Sequence, residues 1–382
     1  MTYTANRAVR PATRFVSTLL LGCFAVALLA PRVLTLAADA QLPKELRTAP
    51  QPDRKPIIDQ INKCVELLKS ENPADQAKGR DMLVAETGPV GVAQPSPGFL
   101  YIYAGELNKA LAAAPVSKHS NFRVRLNAAV AATRVAERAS NRELAEAVVA
   151  FLNDANEGVA LWGMKGAKFV LKDSLAQGAG GPAVIPPMIA TALKFPSTAA
   201  AAYDSLKVND PTLPVPTVTA LIKGTQDLLD ARLKLYQKGI PPEPAAELVA
   251  TSTLPDCWKQ HPANLKPITV QLLVNLGALS GPLVGIAQNG ETADQLKQVL
   301  RNAGAAIVAV SIPEGKDLQN PMKPVLQVNN RSNPQQCAAA SALIYPETKK
   351  AFTSVVAPPA GPGGTGPATA PTSAATAAGG GK

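Results

Sequence analysis

The stretch LNDANEGVALWGMKGAKFVLKD, residues 152–173, holds a polar turn and the basic helix that follows it. Val159, Trp162 and Val170 fall on one broad face of that helix, together with several small residues, at about 100° of rotation per residue. The opposite face carries Lys165, Lys168 and Lys172. This pattern is typical of a helix packed on neighbours, so we expect Trp162 to be an interhelical anchor rather than an exposed platform for a ligand.

The turn has some features of a calcium loop, because Asp154, Asn156 and Gly158 stand at alternate positions. A loop of the EF-hand type needs a glycine at its sixth position and a bidentate glutamate at its twelfth. Counted from Asp154, those positions hold Val159 and Lys165. Because a cation stands where the carboxylate belongs, we predict no metal site. One of the Asn and Asp side chains is expected to cap the next helix instead.

The same pattern occurs once earlier in the chain. NFRVRLNAAVAA, residues 121–132, aligns with NEGVALWGMKGA, residues 156–167, at a shift of 35 residues, so that Val124 falls on Val159. A shorter apolar segment follows each copy, LAEAVVAFL in the first and AVIPPMIATAL in the second. A two-helix unit that recurs at about 35 to 40 residues is typical of α-helical repeat proteins.

These units resemble HEAT and armadillo repeats, in which an Asp in the turn between units precedes a helix rich in small residues. The resemblance is clearest over residues 121–195, and it extends by spacing alone to residues 57–120 and 197–352. It implies a HEAT-like α-solenoid of paired antiparallel helices and a binding or scaffold role, without implying an activity. Tetratricopeptide repeats have a similar period, but their Trp, Gly and Tyr spacing is not reproduced.

Helical periodicity continues through the rest of the chain, with Pro or Gly at almost every break. The predicted helical segments are 57–69, 99–113, 122–139, 142–152, 157–175, 183–194, 199–207, 218–237, 245–252, 265–279, 292–310 and 335–343. A strand is arguable only at residues 100–103, within GFLYIYAGE, although the preceding PSPGF also suits a helix start. We therefore predict an all-α protein.

Composition divides the chain into consecutive segments. Residues 1–40 form a predicted signal peptide and residues 41–56 a polar linker with regularly spaced prolines. Residues 57–210 hold the HEAT-like helical repeats, and residues 211–356 hold further helical repeats. Residues 357–382 are rich in Ala, Pro and Gly and have almost nothing to bury, so we expect a disordered tail.

The signal peptide has three arginines before an apolar run at residues 15–30. Ala38 and Ala40 are the small residues that a signal peptidase reads, which places the cut before Gln41. An uncleaved anchor and lipidation of Cys23 are the alternatives. We expect a secreted or periplasmic protein, and no later segment is judged long and apolar enough to span a membrane.

Three cysteines remain after the predicted cut, Cys64, Cys257 and Cys337. Cys64 shares a helical face with apolar residues, so we interpret it as a buried free thiol. Export permits a bridge between Cys257 and Cys337, and the sequence leaves open whether it forms. No C-x-x-C motif supports a zinc or thioredoxin-type site.

The basic stripe is our name for the cations that recur on the polar faces of the two aligned helices. These candidate partner-binding residues are Arg123, Arg134, Arg138, Lys165, Lys168 and Lys172. If the two helices stack in register, the cations form one continuous surface. That surface is either a solvated face, partly neutralised by nearby glutamates, or a site for an acidic partner or polyanion.

Motifs for catalysis are absent from the sequence. There is no G-x-S-x-G, P-loop, H-E-x-x-H or G-x-G-x-x-G, and the two histidines, His119 and His261, stand in polar loops. The net charge of +10 favours anionic partners without singling out nucleic acid. We predict an exported, non-enzymatic scaffold without cofactor or metal that binds a protein partner. A polyanion-binding envelope protein and an enzyme with an unrecognised site are the alternatives.

Overall fold

The computed structural model describes residues 41–88, 94–176, 184–208, 210–238, 244–260, 263–287, 289–353 and 355, without the side chains of residues 253, 257, 260 and 264. The predicted signal peptide and the predicted tail lie outside these residues. Helices account for all regular secondary structure in the described part, which contains no strand. The all-α prediction is therefore confirmed.

Sixteen α-helices follow one another in the described residues. They are α1 (Lys44–Thr48), α2 (Arg54–Lys69), α3 (Pro73–Ala85), α4 (Pro97–Ala112), α5 (Ala114–Ser117), α6 (Phe122–Ala139), α7 (Ala145–Leu152), α8 (Glu157–Ala176), α9 (Ile185–Lys194), α10 (Ala199–Ser205), α11 (Val215–Gln237), α12 (Ala245–Gln260), α13 (Lys266–Val284), α14 (Gly290–Ser311), α15 (Lys323–Leu326) and α16 (Pro334–Ala351). The arguable strand at residues 100–103 is part of α4, which begins where the Ser96 hydroxyl accepts a hydrogen bond from the Phe99 amide.

Two series of helix contacts run through the chain. In one series each helix packs on the next in the order α3, α6, α8, α10, α12 and α14. In the other series the order is α2, α4, α7, α9, α11, α13 and α16. Helices that are neighbours in sequence, such as α2 with α3 and α7 with α8, also pack on each other and connect the two series.

The aligned copies are helices α6 and α8, and each begins at an asparagine cap. The Asn121 side chain accepts a hydrogen bond from the Arg123 amide, and Asn156 Oδ1 accepts one from the Gly158 amide at 3.0 Å. A Cβ atom on Gly163 would lie 2.7 Å from the Leu152 backbone nitrogen, so α8 approaches α7 more closely than a larger residue would allow. The turn therefore caps a helix, as predicted.

Residues 41–56, predicted as a polar linker, pack on the first helices in this structure. This segment contains α1 and the start of α2, and both Leu42 and Arg47 are buried. The Leu42 amide donates to both carboxylate oxygens of Glu86, at 3.0 and 3.1 Å. Apolar burial of Leu42 and these hydrogen bonds hold the segment against the end of α3.

Helix α13 is an exception to the expectation that no segment after the predicted signal peptide is long and apolar enough to span a membrane. Among the described residues it alone is long and apolar enough to cross a membrane by length and composition. Within the structure, 67% of its most apolar window is buried, between α14, α16 and their neighbours. This burial is typical of a core helix.

The described thiols are buried. Cys64 is free and buried, as predicted. Cys337 is also free and buried, so the bridge to Cys257, which the sequence left open, is not formed in this structure. The side chain of Cys257 is outside the described atoms.

Candidate functional site

The Trp162 groove is a cavity of about 250 Å³ at the surface of three helices that are consecutive in one contact series. Helix α6 contributes Thr133, Arg134 and Glu137, and α10 contributes Ala201, Asp204 and Ser205. Helix α8 runs between them and contributes Trp162, Lys165, Lys168 and Phe169. The groove therefore lies across three successively packed helices, and two of these, α6 and α8, are the aligned segments.

Trp162 lies in this groove under two cations. Its ring is partly buried, and it packs against the core on one side. The Arg134 guanidinium carbon lies 5.6 Å from the ring centroid and Lys165 Nζ lies 4.7 Å from it. Both distances are within the range of cation–π attraction. Trp162 therefore packs against the core, as expected of an interhelical anchor, and part of its ring is also accessible from the groove.

Two ion pairs flank the indole. Arg134 Nη1 lies 3.0 Å from Glu137 Oε2 within α6, and Lys168 Nζ lies 2.8 Å from Asp204 Oδ2 between α8 and α10. The four side chains keep between 42% and 53% of their surface exposed. Pairs with this exposure contribute about 0 to 1 kcal/mol to stability, so they leave the side chains available to other partners.

Buried hydrogen bonds fix the backbone below the groove. The Thr133 hydroxyl donates to the Trp162 carbonyl at 2.8 Å and ties α6 to α8. The Ser205 hydroxyl lies 3.3 Å from the Met164 carbonyl and connects α10 to α8. Because both contacts act on backbone atoms, the three helices hold the groove side chains at fixed positions.

The structure brings together half of the basic stripe. Arg134, Lys165 and Lys168 line the Trp162 groove. Arg123 is exposed in the first turn of α6, eleven residues before Arg134, which corresponds to about 16 Å along the helix axis. Arg138 is half-buried in the last turn of the same helix. These two cations are therefore outside the groove.

Lys172 occupies an intermediate position at the C-terminal part of α8. It is half-buried, and burial lowers the pKa of its amino group from the ordinary value of 10.5, while the nearby carboxylates of Asp210 and Asp204 act in the opposite direction. Lys168 also faces it and adds repulsion. Lys172 thus extends the cationic face of α8 beyond the groove.

Other chemistry-bearing residues do not assemble into a second site. Among the described residues, no cluster of three or more His, Cys, Asp or Glu side chains has the arrangement of a metal site. His119 Nδ1 accepts a hydrogen bond from the Asn121 amide, a local contact at the start of α6, and His261 lies outside the described residues. An open groove between α15 and α16 is larger, but its Asn329 and Ser332 side chains bond to its own turn.

Arg232, Tyr236 and Glu247 form a buried hydrogen-bond network between α11 and α12 that was not predicted from the sequence. Arg232 Nη2 donates to Tyr236 at 2.7 Å and to Glu247 Oε2 at 3.1 Å, and the side chains of Arg232 and Glu247 are 2% and 5% exposed. Glu247 raises the pKa of Arg232 further, against the opposing effect of burial. The one sequence signal for this network is Arg232, a single cation on the otherwise largely apolar face of α11.

Comparison with known proteins gives no relative. No family model, no curated protein and no solved structure matches the chain.

Proposed function

We propose that this protein is an exported, non-enzymatic HEAT-like scaffold that binds a protein partner at the Trp162 groove. The α-solenoid part of the proposal is supported by the two contact series, in which alternate helices pack in chain order. In a solenoid each repeat contacts its neighbours, and grooves across stacked helices form extended binding surfaces.

The observation that carries the binding role is the position of Trp162. A partly exposed indole lies at the centre of a groove, with Arg134 and Lys165 over its ring. Tryptophan and arginine are the residues that most often contribute large binding energies at protein interfaces.

The surroundings of the indole favour a protein over a uniform polyanion. Three cations face two carboxylates in the groove, and two of the cations are already paired with those carboxylates. A polyanion could compete for these cations, but it has no apolar side chain to cover the indole. A protein segment can supply both charged and apolar contacts, and Phe169 and Ala201 provide an apolar surface beside Trp162.

Export rests on the sequence, in which three arginines, an apolar run and the pair Ala38 and Ala40 fit a signal peptide. Leu42 is buried and its amide is bound by Glu86, so the mature chain would be anchored from its second residue. The non-enzymatic role rests on the sequence, in which no catalytic motif occurs.

A pull-down with the mature chain, residues 41–382, from cell-envelope extract of the source organism tests the proposal. We expect Trp162→Ala and the pair Lys165→Glu with Lys168→Glu to abolish capture of a protein that the wild type retains. Lys223→Glu, which reverses an exposed lysine of α11 that is also paired with an aspartate, is the matched control and should retain capture. Equal capture by all variants would rule out the groove as the binding site.

A further inference from the structure

We infer that Glu137 and Asp204 occupy the positions of partner carboxylates, and that the partner is a protein segment with two acidic residues flanking an apolar side chain. This inference rests on the proposed function, because it names the chemistry of the partner at the same groove. The apolar side chain would pack on Trp162, and the two acids would take over Arg134 and Lys168.

The geometry of the groove sets the spacing of the two acids. Arg134 is on α6, and Lys168 is on α8 and reaches toward α10, with Trp162 between them. Axes of packed helices are about 8–10 Å apart, so head groups that lie over α6 and between α8 and α10 are between one and two such intervals apart. An extended chain advances about 3.3 Å per residue and its side chains alternate between two faces, so acids about four residues apart, with the apolar side chain midway between them, can face the groove together.

Exchange of the resident acids costs little energy. Each resident pair is about half exposed, and such pairs contribute about 0 to 1 kcal/mol. A partner that covers Trp162 removes water from the groove, and ion pairs strengthen when the local dielectric constant falls. The replacement pairs would therefore be stronger than the pairs they replace.

Removal of a resident acid should then favour binding, which a purely structural pair would not do. Asp204→Asn frees Lys168 and adds one unit of positive charge. Asp227→Asn adds the same charge and frees Lys223, which is paired with Asp227 at 3.2 Å on the exposed face of α11. Comparison of the two variants separates local competition from the general attraction of an acidic ligand to a more basic protein.

Fluorescence polarisation with a labelled peptide tests the inference on the mature chain, residues 41–382. The probe is Glu-Gly-Leu-Gly-Glu flanked by glycines, and the control peptide has Gln at both Glu positions. We expect Asp204→Asn to bind the probe about three- to fivefold more tightly than the wild type, which corresponds to about 1 kcal/mol. Asp227→Asn should match the wild type, and Lys168→Glu and the Gln peptide should both bind more weakly.

Several results would overturn the inference. These are no binding of the probe to Asp204→Asn, an equal gain in both Asn variants, and tighter binding of soluble polyphosphate that does not depend on Trp162. If the probe fails while capture from extract still depends on Trp162, the proposed function stands and only the acidic segment is wrong. If capture from extract is unchanged by substitutions in the groove, the proposed function fails as well.

Discussion

The guanidinium of Arg125 in α6 forms a bidentate ion pair with the carboxylate of Asp154 in the turn before α8. Arg125 Nε lies 2.7 Å from Asp154 Oδ2, and Nη2 lies 3.2 Å from Oδ1. The same carboxylate accepts the Asn156 amide at 2.7 Å. A protein cation therefore occupies the oxygens that a bound metal would need, and it connects α6 to the turn before α8.

We expect Asp154→Ala to lower the free energy of unfolding by about 3 to 5 kcal/mol, because it leaves a largely buried guanidinium without its partner. The Asp154 side chain is 4% exposed and that of Arg125 is 15% exposed. Urea unfolding followed by circular dichroism measures the change. Asp227→Ala, at an exposed pair, is the control and should change stability by less than about 0.5 kcal/mol. Similar values for both variants would contradict a structural role for Asp154.

The buried network of Arg232, Tyr236 and Glu247 leads to a second prediction. Arg232→Met should lower the free energy of unfolding by about 3 to 5 kcal/mol, because Glu247 would stay buried without a counter-charge. Glu247→Leu in the same chain removes that stranded charge, so the double variant should recover most of the loss. Urea unfolding of the wild type and both variants provides the comparison. A double variant no more stable than Arg232→Met would show that the network does more than neutralise charge.

The sequence predicted the helices that have strong periodicity. Helix α6 was predicted and found at residues 122–139, and α8 at residues 157–176 was predicted to end one residue earlier. Asparagine caps at Asn121 and Asn156 mark both starts. Helix α3, Pro73–Ala85, was missed because it buries Gln76 and Gly79 beside Met82 and Leu83, so its inner face does not form an apolar stripe.

The site was harder to predict for a geometric reason. A helical wheel assigns Trp162 to the apolar face of α8, but it does not show which part of that face the neighbouring helices cover. Helices α6, α7 and α10 cover Val159 and Val170 fully and leave Trp162 accessible at the edge. Lys165 was assigned to the polar face, but it stands three residues after Trp162, about 60° away around the helix, and its long side chain lies over the ring.

The start of the mature chain is a third prediction. We expect Edman or mass-spectrometric sequencing of the exported protein to begin at Gln41, because Ala38 and Ala40 fit a signal-peptidase site. Leu42, the next residue, is buried and bonded to Glu86. A different first residue, or lipid on Cys23, would contradict the predicted cut.

Glu86 predicts a specific dependence of stability on pH. Burial raises the pKa of this carboxyl above its ordinary value of 4.5, against the smaller opposing effects of the Leu42 amide, Arg47 and Gln60. A group whose pKa is raised in the folded state binds its proton more tightly there than in the unfolded chain. Its contribution to the free energy of unfolding is therefore present below pH 4.5 and is lost as the pH rises through the folded pKa.

Glu86→Gln removes this titration, so the stability of the wild type relative to the variant should fall as the pH is raised from about 4.5 toward neutrality. Urea midpoints at several pH values give the difference. Asp59→Asn removes an exposed carboxylate from the neighbouring helix α2 and is the control. A difference between wild type and Glu86→Gln that rises with pH, or does not change, would contradict the raised pKa.

Truncation of the two tryptophans should lower the free energy of unfolding by different amounts. Trp258 is 4% exposed and meets Phe352 edge to face, with ring centroids 5.6 Å apart. Trp258→Ala should therefore lower the free energy of unfolding by about 3 to 5 kcal/mol through the cavity that it leaves. Trp162 is only partly buried in its groove, so Trp162→Ala should cost less than about 2 kcal/mol, consistent with partial burial and cation–π contacts.

Partner capture should be affected more by Trp162→Ala than by Trp258→Ala, the reverse of their order in stability. Trp162→Ala should lose the captured protein and retain its helical circular dichroism spectrum. The helices below the groove are held by hydrogen bonds to backbone atoms, such as that from the Thr133 hydroxyl to the carbonyl of residue 162, which the variant keeps. Trp258→Ala should keep capture at temperatures below its unfolding transition, because Trp258 lies in α12 and outside the groove. Thermal melts and pull-downs on both variants give the two readouts. If Trp162→Ala is as destabilising as Trp258→Ala and captures normally, the indole is a packing residue and the groove has no binding role.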